Sequence, residues 1–99
     1  MKIWGIKLRE LIDVRADIDA IDAQLLPLFE ARMQLSREVA EIKRTQNLPV
    51  YVPERERELL DQICENVTDR TLMRPVSDFF SALMRISREE QLRVFDCDE

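Results

Sequence analysis

Three basic residues of one predicted helix are candidates for an anion-binding site, and two of them have the spacing for one ligand. Arg32 and Lys43 are eleven residues apart, which is three helical turns, so both lie on nearly one face about 16 Å apart along the axis. Long basic side chains at that separation can converge on a small anion between them. Arg15 shares the angular stripe of Lys43 but stands 28 residues away, about 42 Å along a helix. Only two helices packed antiparallel in a dimer would bring Arg15 of one chain to Lys43 of the other.

Arg32 also interrupts a row of aliphatic residues. The apolar residues on either side of it repeat at alternating steps of three and four, as in a coiled coil. This row, the aliphatic seam, consists of Leu11, Val14, Ile18, Ile21, Leu25, Leu28, Leu35, Val39 and Ile42. A buried guanidinium without a partner costs several kcal/mol, and an anionic ligand between helices would supply that partner. The structural alternative is a polar residue that sets the register of two paired helices.

One face of the predicted third helix carries two uncharged polar residues. Its members step by four, three, four and four, and they are Phe80, Met84, Ser87, Gln91 and Phe95. Ser87 and Gln91 therefore interrupt an otherwise apolar line. They are either hydrogen-bonding groups of a site or a satisfied polar patch in a helix interface.

The remaining candidates also have purely structural explanations. Arg15 can be a solvated flank of the aliphatic seam, and Lys43 can stabilise the carboxyl end of its helix through the macrodipole. Arg55 and Glu56 can form an exposed pair in the first turn of the second helix. No single residue decides between these explanations, so only their occurrence together indicates a site.

The composition excludes several kinds of chemistry. The chain has no histidine, which removes His-based catalytic triads and His-containing metal sites. Its one glycine, at position 5, cannot form a glycine-rich phosphate loop. Cys64 and Cys97 lack metal-site spacing and are expected to be free thiols. We therefore expect neither metal nor cofactor, and a net charge of −5 argues against nucleic acid or an anionic membrane as partner.

The elements that must position these residues are helices. The 99 residues are 45% hydrophobic and 35% charged with one glycine, which predicts one all-helical domain over residues 1–99. We predict a first helix over about 6–44, a second over 53–66 and a third from Pro75 to about Phe95. Because the aliphatic seam continues through Pro27, that proline predicts a kink rather than a loop, at a cost of about 3 kcal/mol. No apolar stretch approaches a membrane span, and we expect a cytoplasmic protein.

The order of these residues resembles the all-helical class of chorismate mutases. The matching pattern runs from about Leu11 to Gln91 and covers nearly the whole chain. It comprises Arg15, then EARMQLSREVAEIK with Arg32 and Lys43, then PERERELL with Arg55 and Glu56, then SREEQ with Ser87 and Gln91. Each position alone is a weak signal, but seven in this order are specific.

The resemblance implies three helices per chain, intertwined in a homodimer with two sites. It also implies the rearrangement of chorismate to prephenate, on the route to phenylalanine and tyrosine. By that analogy Arg15 reaches into the partner's site. There it joins Arg32 and Arg55 in neutralising the two carboxylates of the substrate.

The same resemblance implies that Lys43 and Gln91 are catalytic. Both would bond the ether oxygen of the breaking bond, while Glu56 and, less directly, Ser87 would address the ring hydroxyl and the polar edge of the substrate. The implied reaction is concerted and has one substrate, so it needs no nucleophile, proton transfer, metal or cofactor. The protein must hold the reactive conformation and stabilise charge on the ether oxygen.

Two alternatives to a mutase stay open. Isochorismate–pyruvate lyases resemble this chain in fold and in the Arg, Arg, Lys and Gln positions, but they place an apolar residue where Glu56 stands. Val52 occupies a position where many mutases carry an aspartate, which leaves the full set of hydroxyl contacts open.

A non-catalytic helical dimerisation module would explain the aliphatic seam and the acidic surface. It would not explain why Arg32, Lys43, Ser87 and Gln91 all fall on inward-facing stripes.

Overall fold

The computed structural model describes residues 8–96. They form three α-helices, α1 at Leu11–Thr45, α2 at Pro53–Glu65 and α3 at Met73–Asp96, with a short 3-10 helix at Arg70–Leu72 before α3. No strand occurs within residues 8–96, so the predicted all-helical class with three helices is confirmed. The chain divides into two compact units, Met1–Arg32 and Met33–Glu99. The assignment of residues 1–99 to one domain stays a prediction.

The first helix runs through its internal proline without a break. α1 extends from Leu11 to Thr45 with Pro27 inside it, so the prediction of helix rather than loop at this position is confirmed. Proline removes one backbone hydrogen bond, and the flanking turns keep their helical bonding. The kink itself stays a prediction. Ile6 itself lies outside the described residues, but residues 8–10 are not helical and α1 begins at Leu11, so the prediction of helix over residues 8–10 is wrong.

The carboxyl end of α1 is closed by a left-handed residue. Asn47 has φ 56°, a conformation that asparagine adopts more readily than most residues. The Leu48 amide donates to the Lys43 carbonyl at 2.8 Å, and the Asn47 amide donates to the Arg44 carbonyl at 3.4 Å. These two bonds form a Schellman motif, which satisfies carbonyls that the helix end would otherwise leave unpaired. Lys43 is therefore held at a defined helix end.

The second helix begins at the proline that the sequence indicates. Pro53 is the first residue of α2, after Val52 in an extended conformation, and its missing amide hydrogen is not needed there. Glu54 and Glu56 lie in the first turn, where the helix macrodipole favours negative charge. α2 ends at Glu65 and packs against α3.

The third helix begins two residues earlier than predicted. The sequence predicts that Pro75 opens it, but α3 starts at Met73, directly after the 3-10 helix. The first amides of a helix have no acceptor within the helix, so Pro75 is tolerated inside the first turn. Asp69 caps the 3-10 helix, because its carboxylate accepts from the Thr71 amide at 3.1 Å and the Thr71 hydroxyl at 2.6 Å.

The described residues of the first unit contain no buried side chain. Residues 8–31 are all exposed and Arg32 is half-buried. The aliphatic seam is included in this exposure, and so are its last three members in the second unit. Each seam residue exposes between 37% and 66% of its surface. Exposed apolar rows with this repeat are typical of surfaces that another helix covers.

The second unit has a small core of its own. Four hydrophobic residues are buried in it, namely Met33, Ala40, Leu83 and Met84. Three polar residues are buried beside them, namely Ser36, Ser87 and Gln91. On α1 the buried residues follow steps of three and four, and with Lys43 they form a row that we call the inner stripe: Met33, Ser36, Ala40 and Lys43. The inner stripe lies one position from the aliphatic seam, so α1 uses two different faces.

Candidate active site

Lys43 is the residue on which the candidate site is built. It lies in the last turn of α1, half-buried, at the end of the inner stripe. Its ammonium donates to the Val50 carbonyl at 2.8 Å and to the Gln91 side-chain oxygen at 3.1 Å. The first bond ties it to the segment between α1 and α2, and the second ties it to α3. Lys43 therefore connects the end of α1 with the segment between α1 and α2 and with α3.

Gln91 is buried on α3 and faces Lys43. Only 8% of its surface is exposed, and Ser87, one turn earlier on the same face, is also buried. The amide oxygen of Gln91 accepts from the ammonium, which leaves its two N–H donors to face elsewhere. An ammonium and an amide donor side by side form a pair suited to a developing oxyanion.

The pKa of Lys43 lies below its ordinary value of 10.5, because burial disfavours the charged ammonium. The carboxylate of Glu56 partly offsets this effect, since its negative charge raises the pKa of Lys43. Glu56 is therefore close enough to act on Lys43 electrostatically. A cation partly withdrawn from water attracts an anion more strongly than an exposed one does.

Glu56 is held by an arginine from α3. The Arg88 guanidinium donates from one nitrogen to both carboxylate oxygens of Glu56, and the bond to Oε2 measures 2.5 Å. The Arg88 carbon Cζ lies 4.8 Å from the centroid of the Tyr51 ring, within the range of a cation–π contact. This group joins the segment before α2, the first turn of α2, and α3. We call Tyr51, Glu56 and Arg88 the clasp.

A second ion-paired group ties α1 to α3 beside Gln91. Glu90 accepts from Arg37 Nε at 2.5 Å and from Arg93 Nη1 at 2.7 Å. The hydrogen bond from Arg37 is the main reason that the pKa of Glu90 lies below its usual range. This group connects α1 and α3 one residue from Gln91.

The structure brings together three of the seven predicted site residues, namely Lys43, Gln91 and Glu56. Ser87 is buried on the face of Gln91, whereas Arg55 is exposed on α2. In the first unit Arg15 is exposed and Arg32 is half-buried. The roles of all seven in ligand binding stay predictions.

The described residues also bear on metal binding and on membrane insertion. Within residues 8–96, no group of three His, Cys, Asp or Glu side chains is placed to hold a metal ion. None of the helices in the same range is long and apolar enough to cross a membrane.

Comparison with known proteins assigns the chain to a family. Residues 14–92 match the family model of chorismate mutase type II. The chain belongs to that family. The resemblance seen in the sequence is thereby confirmed.

Individual members of the chorismate mutase family and their multidomain relatives are similar over shorter stretches. The bifunctional chorismate mutase/prephenate dehydratase of Aquifex aeolicus is 45% identical over 56 residues, 57% of this chain and 16% of that protein. The chorismate mutase of Methanocaldococcus jannaschii is 39% identical over 56 residues, 57% of either chain. The chain thus spans about a sixth of the length of the first relative and over half of the second.

A solved chorismate mutase shares the fold. The crystal structure of chorismate mutase from Helicobacter pylori in complex with prephenate superposes with a TM-score of 0.81 at 29% identity. The similarity covers 90% of this chain and 97% of that one. It extends the agreement from the local matches to nearly the whole chain.

Arg88 was not among the site residues predicted from the sequence of this chorismate mutase family member. The residue stands inside the SREEQ motif, next to Ser87 and three positions before Gln91. That spacing places it near the polar face of α3, which was the available signal. Its partner could not be read from the sequence, because Glu56 lies 32 residues away on another helix.

Proposed function

We propose that this chain is a chorismate mutase, an isomerase that rearranges chorismate to prephenate in the biosynthesis of phenylalanine and tyrosine. Membership of the family and the similarity to a chorismate mutase solved with prephenate support the assignment. The proposal includes a cytoplasmic setting, which suits a biosynthetic enzyme.

The Lys43–Gln91 pair is the observation that carries the proposal. The reaction breaks a carbon–oxygen bond, and negative charge develops on the ether oxygen in the transition state. Lys43 and Gln91 are in contact at 3.1 Å, and one brings an ammonium while the other brings amide donors. Groups already held in place need no rearrangement as the charge appears, which is the main source of electrostatic catalysis.

The arginines are proposed to bind the carboxylates. Arg32 and Arg55 would neutralise the substrate dianion from one chain, and Arg15 would complete the site from the other. Planar guanidinium groups suit carboxylates because they offer paired N–H donors. Glu56 would accept from the ring hydroxyl, with Ser87 at the polar edge of the substrate. Holding the flexible dianion in its compact conformation supplies the orientation that the concerted reaction needs.

A homodimer is part of the proposal. The aliphatic seam belongs to a helix of 35 residues and stays exposed in the single chain. Two such helices packed antiparallel would cover both seams and bring Arg15 of each chain towards the other site. The exposed seam and the distance of Arg15 from Lys43 along α1 thus have one common explanation.

The direct test is to supply chorismate and isochorismate separately to the purified protein and to identify the products. Prephenate from chorismate supports the mutase. Salicylate plus pyruvate from isochorismate, without prephenate from chorismate, would assign the chain to the lyases instead.

Arg32→Leu separates an enzyme from a non-catalytic dimerisation module. On our proposal, chorismate turnover falls roughly tenfold to a hundredfold, as expected for one lost hydrogen bond to a charged group, while the dimer persists or gains stability. Glu30→Leu removes an exposed charge two residues away and serves as the control. Equal turnover in the wild type and Arg32→Leu would exclude a binding role for Arg32.

A further inference from the structure

The clasp holds one carboxylate of the proposed site through Arg88, which Tyr51 supports in turn. Arg88 donates to both oxygens of Glu56, and Tyr51 lies against the guanidinium of Arg88. The side chains of Arg88 and Glu56 expose 29% and 24% of their surface. They are therefore more sheltered than the exposed ion pairs of α3, such as Arg85–Glu89, whose side chains expose 55% and 59%.

We propose that Arg88 is a positioning residue for the Glu56 carboxylate, and that the clasp makes the site select substrates with a ring hydroxyl. This inference rests on the proposed function, in which Glu56 accepts from that hydroxyl. It assigns to Arg88 a role in substrate discrimination and none in contacting the substrate.

The hydrogen-bonding capacity of Glu56 agrees with this role. A carboxylate has about four acceptor positions on its two oxygens. Arg88 uses one position on each oxygen, so acceptor capacity remains for a substrate hydroxyl. A carboxylate held by a guanidinium keeps one orientation, whereas an unheld carboxylate must lose rotational freedom when the substrate binds.

The charges around Glu56 supply a second reason for the clasp. Glu56 also acts electrostatically on Lys43, so a Glu56 side chain released from Arg88 would be attracted to that ammonium. Such a move would compete with the contact between Lys43 and Gln91. Without Arg88, the site would also lose one positive charge beside the substrate dianion, and the carboxylate of Glu56 would repel the dianion more strongly. Arg88 prevents both effects by pairing with Glu56 on the α3 side.

The side chains of Arg88 and Tyr51 are of types that suit a rigid support for the Glu56 carboxylate. A planar guanidinium can stack on an aromatic face while its N–H groups bind a carboxylate, and a lysine ammonium offers no such plane. Tyr51 is 55% exposed, so replacing it disturbs little else. Arg88→Lys should therefore retain the charge but hold Glu56 less firmly.

The test compares chorismate with its analogue lacking the ring hydroxyl. The quantity measured is kcat/KM for chorismate divided by kcat/KM for the analogue. It is measured in the wild type and in variants whose thermal unfolding shows that they fold. Arg88→Gln should lower this ratio roughly tenfold to a hundredfold, the range that one hydrogen bond to a charged group supports. Glu56→Gln should lower it similarly, and the double variant should be no worse than either single one.

Further variants grade the effect. Arg88→Lys should recover part of the ratio, Tyr51→Leu should lower it slightly, and Tyr51→Phe should leave it unchanged. The matched control is Arg85→Gln, which removes an arginine of the same helix from an exposed pair with Glu89 and should not alter the ratio. If Arg88→Gln fails to fold, Arg88→Lys and Tyr51→Leu supply the comparison.

The outcomes separate this inference from the proposed function. If the wild type converts chorismate but Arg88→Gln slows both substrates equally, Arg88 is only a link between α2 and α3 and the inference is wrong. If the wild type does not convert chorismate, the proposed function fails and the inference fails with it.

Discussion

α1 carries two faces that the chain treats in opposite ways. The inner stripe is covered within the second unit, where Ala40 is fully buried and Lys43 contacts Gln91. The aliphatic seam, one position away, is the more hydrophobic of the two, yet every one of its residues stays exposed. In the described residues of the first unit no side chain is buried at all.

This difference shows that apolar character alone does not decide which face a single chain buries. The buried row contains a serine and ends in a lysine, and it meets a face of α3 that offers Ser87 and Gln91. The exposed row is almost purely aliphatic, so its burial needs an equally long aliphatic surface. A second copy of α1 offers that surface, and the proposed dimer follows. On our proposal, one face of α1 therefore serves chemistry and the other serves assembly.

The largest effect is expected from charging the aliphatic seam. Leu25→Asp should cost roughly 4 kcal/mol or more of dimer stability, because truncating a single buried leucine costs about 2–5 kcal/mol and a symmetric dimer contains two copies. Sedimentation equilibrium and chemical unfolding measure this loss. Turnover should disappear together with the dimer.

Ala23→Asp is the matched control, since Ala23 is exposed on the side of α1 opposite the aliphatic seam. Ala23→Asp introduces the same charge as Leu25→Asp, and alanine and leucine are both good helix formers. The variant should leave the dimer intact. Dimers of normal stability in Leu25→Asp would show that the seam is not an interface.

The next largest effect is expected from replacing Lys43 of the inner stripe or its partner Gln91 on α3. Lys43→Met and Gln91→Leu should each lower kcat/KM for chorismate by about 10²–10³, equivalent to about 3–4 kcal/mol of transition-state stabilisation. Helicity and dimerisation should persist, because neither change touches the aliphatic seam. Arg93→Met, which removes an exposed cation near Gln91, is the control. A loss below tenfold in both variants would remove the pair from the chemistry.

A smaller effect is expected where α1 ends beside Lys43. Asn47→Val should destabilise the chain by about 1–2 kcal/mol, because a β-branched residue is strained in the left-handed conformation. Asn47→Gly should be neutral or slightly stabilising, since glycine adopts that conformation freely. Chemical unfolding measures both variants, and equal stability of the valine and glycine variants would show that the left-handed turn does not form.

The smallest effect concerns the pH dependence of kcat/KM, which depends on Lys43 at the end of the inner stripe. Because burial lowers the pKa of Lys43, its proton is lost at a lower pH than that of an exposed lysine. kcat/KM should stay flat across neutral pH, where both the amide and the ammonium can donate, and should fall as the pH rises through the lowered pKa. Glu56→Gln removes the charge that raises this pKa, so the fall should begin at lower pH.

Glu54→Gln is the control for that shift, because Glu54 is an exposed glutamate of the same helix turn. A steep change in turnover across neutral pH without loss of fold would contradict the role of Gln91. A midpoint that stays in place in Glu56→Gln would show that Glu56 does not act on Lys43.

Most of the fold could be predicted from local patterns. The start of α2 at Pro53 and the continuity of α1 through Pro27 follow from backbone chemistry and from the repeat around them. The 3-10 helix that moves the start of α3 to Met73 was missed. Its capping by Asp69 is a local signal, but Pro75 offered a stronger one for the same boundary.

The candidate site was predictable in part. Lys43 could be selected by its helical spacing from Arg32, and Gln91 could be selected because it interrupts an apolar row; the structure joins the two. Arg88 was missed, because its place beside the polar face of α3 is a weak signal and its partner Glu56 is on another helix. A residue that acts through a distant partner leaves no periodic signal in its own helix.

The amino-acid sequence by itself determined the helices, the aliphatic seam and the set of charged and amide groups available for chemistry, because each depends on residues close together along the chain. Only the tertiary structure decided which face of α1 is covered, which groups meet Lys43, and that Arg88 holds Glu56. Those outcomes depend on contacts between residues up to 53 positions apart, and their free energy comes from packing and charge pairing that no local pattern contains.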